Sequence, residues 1–162
     1  KAMHATKALL TAAQILQLNE KEHIHQHNDN AIRLTRSLSE PTGIKSIGVH
    51  LVRVKQGRDS TEFHSHQQDE EFIYILSGQG IASIGEDQFQ VSGGDFMGFE
   101  KNSPAHAMFN PNSEDLVYLM GGSRCEIDIC DYPRLKRRQF RINGKREVVN
   151  WDDLSPVQPE IN

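Results

Sequence analysis

Only two cysteines occur in 162 residues, Cys125 and Cys130. Five positions apart on an extended segment, they fall on opposite faces and too far from each other to bridge locally. A disulfide scaffold is excluded, and both thiols read as small buried hydrophobes of a reducing compartment. No run of eighteen apolar residues exists, and the amino-terminal patch Ala8-Leu-Leu-Thr-Ala-Ala13 is too short for a signal core. The expectation is a cytoplasmic protein that does not enter a membrane. Aromatic residues are 7% and are not interleaved with the basic ones, and the net charge is -4. Both facts weigh against a nucleic-acid partner. Hydrophobic content, at 36%, is lean but above the disordered class, and 162 residues suffice for one domain with a substantial core.

What is present is a series of short strands. From Ile44 onward, apolar and β-branched runs cover 44–55, 62–66, 71–76, 81–84, 88–91, 96–99, 106–110 and 116–120. Turns bearing Gly, Asp, Asn, Ser or Pro separate them, and the even spacing is that of an all-β antiparallel sandwich or barrel. Ile84-Gly-Glu-Asp-Gln88 and Asn110-Pro-Asn-Ser-Glu-Asp115 read as hairpins, and Gly93-Gly94-Asp95 as a sharp corner.

The chemistry concentrates between Gly57 and Gly78. His64 and His66 are separated by one residue, so on a strand both imidazoles leave the same face and can aim at one point. Glu71 follows five residues later at the head of Phe72-Ile-Tyr-Ile-Leu76, which places a carboxylate on the adjacent strand. His106 lies forty residues beyond His66. Imidazoles with one carboxylate suit a divalent transition metal such as Fe(II), Mn, Ni, Co, Cu or Zn, and leave coordination positions open to a small ligand. Glu70 belongs on the opposite strand face and becomes the ligand only if the register slips by one.

These two segments resemble the paired motifs of the cupin superfamily. The first motif, Gly, a short gap, His-x-His, Glu and Gly, is met by Gly57, His64, His66, Glu71 and Gly78. The second, Gly-Asp, a proline-containing turn, His and Asn, is met by Gly94, Asp95, Pro104, His106 and Asn110. The Gly57–His64 gap is one residue longer than usual, and Glu100-Lys-Asn-Ser-Pro104 replaces the usual Pro-x-Gly pair; both departures lie in turns, where length varies freely. The resemblance spans residues 44–122. It implies a double-stranded β-helix, or jelly roll, with His64, His66, Glu71 and His106 on one metal ion, and a homodimer paired through sheet edges. Residues 1–43 then form an amino-terminal segment packing on the barrel, and 123–162 a carboxy-terminal extension.

The fold hosts isomerases, lyases, dioxygenases and plain binding proteins. The chain is most similar in form to small bacterial cupins provisionally labelled sugar-phosphate isomerases. Metal-dependent isomerase or lyase chemistry on a small oxygenated metabolite therefore ranks first, an Fe(II) dioxygenase second and a non-catalytic metal or small-molecule binder third. An isomerase needs a base, and Glu62, Tyr74 and His50 are the candidates that the sequence offers.

Two segments fit none of this. Thr11 caps a short helix over 11–18, followed by a polar stretch, 19–30, whose Asn and Asp residues suggest a loop; His23, His25 and His27 within it read as solvated histidines with at most adventitious metal binding. Residues 134–146 hold seven basic side chains and no acidic one, so the rest of the chain carries a net charge of -11. Asn143-Gly144 marks a hairpin there. The charges either protect an exposed edge strand or, through Arg137, Arg138 and Arg141, gather a phosphate.

Overall fold

Ile73 and Ile75 are buried, whereas Tyr74 and Leu76 are exposed. This period of two recurs around the molecule and sorts its side chains into a core and a solvent face. The computed structural model describes residues 8–161. One wall is a six-stranded antiparallel sheet in the spatial order β1 (Lys21–His25), β2 (Asn28–Ser37), β3 (Ile47–Val54), β10 (Leu116–Ser123), β5 (Glu71–Ser77) and β8 (Phe96–Phe99). The other wall is split. Its first part is β7 (Asp87–Ser92), β6 (Gln79–Ile84) and β9 (His106–Phe109). Its second part is β13 (Lys145–Asn150), β12 (Arg137–Ile142), β11 (Ile127–Tyr132) and β4 (Ser65–His66).

The two parts meet at a pair of backbone hydrogen bonds, His64 N–H to His106 C=O at 3.2 Å and His106 N–H to His64 C=O at 2.9 Å. This seam carries two of the candidate ligands. Val52, Val54, Ile73, Ile75, Ala82, Val91, Met97, Phe99, Met108, Leu116 and Tyr118 fill the space between the walls. The architecture is the double-stranded β-helix.

The strands from Ile44 to Met120 fall within a few residues of their expected positions. One differs: only Ser65 and His66 of 62–66 form a ladder strand, pairing with Asp131 and Cys130 of β11, while His64 makes its isolated bridge to His106. Two neighbouring residues thus hydrogen-bond to different sheets. Thr11 caps α1 (Ala12–Gln17) through a capping box with Gln14.

The stretch 19–30, expected to be loop, is instead a hairpin of β1 and β2. Gln26 and His27 make the turn, Asn28, Asp29 and Asn30 open β2, and β2 continues the large sheet by pairing with β3, for example Thr35 with Val52. The residues before position 44 therefore supply the edge of a wall. At the other end, Asn143 and Gly144 form the expected two-residue hairpin loop, with φ of 48° and 82°. Two successive positive φ values are the twist that joins right-handed strands, and Asn and Gly are the residues that adopt them at least cost.

Asn110, the last residue of the second motif, is fully buried and structural. Its Nδ2 donates to the Val54 and Glu114 carbonyls, each at 2.9 Å, and its Oδ1 accepts from Asn112 N–H at 2.9 Å.

Candidate metal centre

Between the walls lies a cavity of about 340 Å³, at the small end of the range for small-molecule sites. Its polar end is built around Glu71. This residue opens β5, where Gly122 of β10 and Phe99 of β8 are its cross-strand neighbours. The glycine leaves room for the carboxylate to turn inward. Glu70, one position earlier, is exposed, so the register is not slipped.

Three imidazoles converge on the Glu71 carboxylate. His66 Nε2 lies 3.0 Å from Oε1, and His106 Nε2 and His64 Nε2 lie 2.9 and 3.5 Å from Oε2. Each ring is held from behind. His64 Nδ1–H donates to the Glu62 carbonyl at 2.8 Å, and His66 Nδ1–H to Asp128 Oδ2 at 2.6 Å. Phe99 stacks flat on His106, with centroids 3.5 Å apart and planes 4° from parallel. The Ser60 N–H and hydroxyl fix the preceding loop to Met108 of β9 at 2.8 and 3.0 Å.

These tautomers have a consequence. A neutral ring that donates from Nδ1 presents a lone pair at Nε2. The lone pairs of His64 and His66 therefore point at carboxylate oxygens, which are also acceptors. The arrangement needs a positive charge, either a ring proton or a cation. With no cation, His66 takes the proton. Burial alone would lower its pKa, but the hydrogen bonds to Asp128 and Glu71 outweigh it and raise the value to about 10. Burial would raise Glu71, yet its bonds to His106, His64 and His66 hold it well below the usual carboxylate range. His106 is pushed down, mainly by burial, and its Nδ1 is buried without a partner among the described residues.

The ligand atoms of His64, His66 and Glu71 all lie within 4.8 Å of one another, which is the spacing of a metal site. His106 reaches Glu71 but lies outside that mutual set. All four could hold a divalent ion, three by nitrogen and one by oxygen.

Sequence reasoning missed Asp128. It sits in β11, 62 residues from His66, in a stretch expected to be a mere extension. Its Oδ1 also accepts the backbone N–H groups of Gln68 and Asp69 at 3.0 and 3.1 Å. Burial raises its pKa, but His66 and these two N–H groups outweigh that and hold it low.

The three expected bases lie elsewhere. Tyr74 is 41% exposed on the outer face of β5, because it is three residues from Glu71 and so on the opposite side of the strand. His50 lines a separate surface cleft with Glu40, Ile44 and Arg124. Glu62 is buried, but its carboxylate accepts from Asn28 Nδ2 at 3.0 Å and does not line the cavity; its carbonyl is what serves the site.

His25, expected to be solvated, is half-buried and lines the cavity with Tyr132 and Cys130, whereas His23 borders it and is exposed, as expected. The basic segment is also largely paired. Arg138 clamps Asp131 with two bonds of 2.9 and 3.1 Å, Arg141 binds Asp69 at 2.7 Å, and Arg137 donates to His27 Nδ1 at 3.2 Å. The three do not form one phosphate cluster, because Arg138 faces away from Arg137 and Arg141 across β12.

Comparison with known proteins agrees with this architecture. The family model described as "Cupin domain" matches residues 50–122. A crystal structure from Acidithiobacillus ferrooxidans, provisionally named a sugar phosphate isomerase, is 36% identical, with 94% of this chain and 98% of that one aligned at a TM-score of 0.92. The chain belongs to the cupin superfamily. Two more distant cupin-fold structures share the fold alone. One is a cupin-superfamily sugar phosphate isomerase from Silicibacter pomeroyi, 20% identical over 87% of this chain and 96% of that one at a TM-score of 0.76. The other is a predicted oxalate decarboxylase from Thermotoga maritima, 16% identical over 68% and 96% at 0.58. No curated protein matches this cupin. No helix among its described residues is long and apolar enough to cross a membrane.

Proposed function

We propose that this cupin binds one divalent transition metal through His64, His66, His106 and Glu71 and catalyses isomerase or lyase chemistry on a small hydroxy-carbonyl compound. The observation that carries the reading is the convergence of three Nε2 atoms on one carboxylate. These residues fit a cation because the set lacks positive charge and the rings are already oriented by Glu62, Asp128 and Phe99. A bound divalent ion would supply Lewis acidity, which polarises a carbonyl and stabilises the negative charge that develops on its oxygen.

The remaining work falls to other cavity residues. Burial pushes the Cys130 thiol up to about 12 and raises the Tyr132 phenol, so both stay protonated. His25, lowered to about 4 mainly by burial, stays neutral, and its Nδ1 accepts the His27 N–H at 3.1 Å. The ring proton is therefore on Nε2. A neutral imidazole of this kind hydrogen-bonds a substrate oxygen without carrying charge into the cavity. Ile73, Ile84, Met97, Phe99, Met108 and Met120 supply an apolar side that limits water.

Isomerase or lyase chemistry ranks ahead of oxygenation because three methionines and Cys130 line the cavity, and sulfur side chains beside activated oxygen are readily oxidised. The name carried by the Acidithiobacillus relative points the same way. The test is incubation of the Mn(II), Zn(II) and Fe(II) forms with a panel of hydroxy-carbonyl compounds in deuterated water, with oxygen uptake recorded. Deuterium appearing at the carbon next to the carbonyl is expected. Substrate-dependent O₂ consumption by the Fe(II) form alone, without exchange, would move the protein to the oxygenases. Binding without any conversion would move it to the sensors.

A further inference from the structure

The end of the cavity away from Glu71 carries the opposite charge. Arg33 leaves β2 beside its cross-strand partner His23 and lines the cavity. Among the described residues no carboxylate lies within ion-pair distance of it. Its Nη1 approaches the Met120 sulfur at 3.5 Å and its guanidinium also reaches the Tyr118 phenol, while its Nε is buried without a partner among the described residues. Four other arginines are paired with carboxylates, Arg36 and Arg53 with Glu20, Arg138 with Asp131 and Arg141 with Asp69, and Arg58, Arg124, Arg134 and Arg137 meet an amide, a hydroxyl, an aromatic ring and an imidazole. Arg146, exposed on β13, also lines the cavity and has no carboxylate partner among the described residues. His23 feels both cations, and Tyr118 feels Arg33 and Glu71 together, so the phenol sits between the two ends. Burial first, then Arg33 and Arg146, lower the pKa of His23, and burial first, then His64 and Arg33, lower that of His25 to about 4, so His25 adds hydrogen-bonding capacity without a competing charge.

A partly buried guanidinium with an unsatisfied N–H is costly unless a ligand completes it. We propose that Arg33, with Arg146 at the rim, forms an anion-binding subsite, so that the substrate is a small hydroxy-carbonyl compound bearing a phosphate or carboxylate group. Its neutral oxygens go to the Glu71 end and its anionic group to Arg33. Arg33 is in this sense the specificity-determining residue. The assignment rests on the proposed function for the orientation of the ligand, but not for the anion site itself.

The experiment is calorimetric titration of the whole metal-loaded chain with dihydroxyacetone, dihydroxyacetone phosphate and hydroxypyruvate at low and high salt, and of the metal-stripped chain with inorganic phosphate. Charge-assisted bonds to a guanidinium predict that one anionic compound binds at least about tenfold more tightly than the neutral one, with the advantage shrinking as salt rises. Whichever of the two is favoured identifies phosphate or carboxylate as the group. Arg33→Met should abolish the advantage at unchanged metal content, and Arg33→Lys should keep part of it. Equal binding of charged and neutral compounds by the unaltered protein, which needs no variant, overturns the subsite. So does a full advantage retained in Arg33→Met. Arg33-dependent phosphate binding by metal-stripped protein upholds the subsite even if no metal can be loaded, whereas normal metal content without anion preference removes the subsite alone.

Discussion

Two carboxylates touch His66, and they differ in what surrounds them. Asp128, on the Nδ1 side, is met by donors: one imidazole N–H and two backbone N–H groups. Every one of its bonds is complete within the chain. Glu71, on the Nε2 side, is met by three imidazole nitrogens, and while the rings are neutral those of His64 and His66 face it with lone pairs. Of the three, only His106, whose Nδ1 has no partner among the described residues, can donate to it from a neutral ring, and the contacts with His64 and His66 need a ring proton or a cation. The contrast separates a carboxylate that positions a ring from one proposed to bind a cation, although both are largely buried and both have lowered pKa values. A low carboxylate pKa is therefore not itself the signature of a functional site; the character of the partners is.

The largest effect that tests this contrast is on the Glu71 side. His64→Ala with His66→Ala should remove essentially all tightly held metal, as measured by elemental analysis after dialysis. Full occupancy in that variant would contradict the assignment.

Next comes pH. The His66 pKa in the metal-free fold is raised above its ordinary 6.5 to about 10. Its proton therefore stabilises the metal-free fold fully below about pH 6.5, and that stability is lost as pH rises toward 10. A metal must displace this proton. Affinity should climb with pH across that window, by up to about tenfold per unit. Glu71 has the opposite sign: its contribution is present above its ordinary 4.5 and is lost as pH falls through its lowered value. Competitive chelator titrations at several pH values supply the slope, and a flat profile would mean that His66 does not exchange a proton for the ion.

On the positioning side, Asp128→Ala should weaken metal binding by about 10- to 100-fold. It should also destabilise the fold by about 1–3 kcal/mol, because the Gln68 and Asp69 N–H groups lose their acceptor. Asp128→Asn keeps an acceptor for those groups and should recover most of the stability but not all of the affinity. Chemical denaturation alongside chelator competition distinguishes the two.

The smallest effects are expected at Tyr74 and Glu62. Tyr74→Phe should shift stability by no more than about 0.5 kcal/mol and leave metal content unchanged. Glu62→Gln should do likewise for metal content, because His64 is held by the Glu62 carbonyl and the new amide oxygen can still accept from Asn28. A metal-free Glu62→Gln protein would place its carboxylate in the site after all.

The strand positions from Ile44 to Met120 and the shared face of His64 and His66 were legible because alternation along a strand is a local property, while Glu71 and His106 came with the paired motifs. Tyr74 was open to exclusion by the same rule, since an odd separation from Glu71 puts it on the other face. Asp128 was not legible: its role depends on β11 lying beside β4, a pairing across 62 residues that no local pattern announces. Arg33 and His25 were hidden for another reason. The Asn and Asp residues that open β2 made the whole stretch read as loop, so its inward face went unseen. The basic segment misled in the same way, because composition cannot tell that Arg138 and Arg141 already have carboxylates opposite them.

The account depends most on Glu71 being completed by a cation. Elemental analysis of the unaltered protein, purified without added metal and then again after loading and dialysis, tests this directly. About one divalent transition metal per chain is predicted, displaced stoichiometrically by protons on acidification. A protein that retains none after loading would contradict the account and leave the ring proton on His66 as the charge that completes the site.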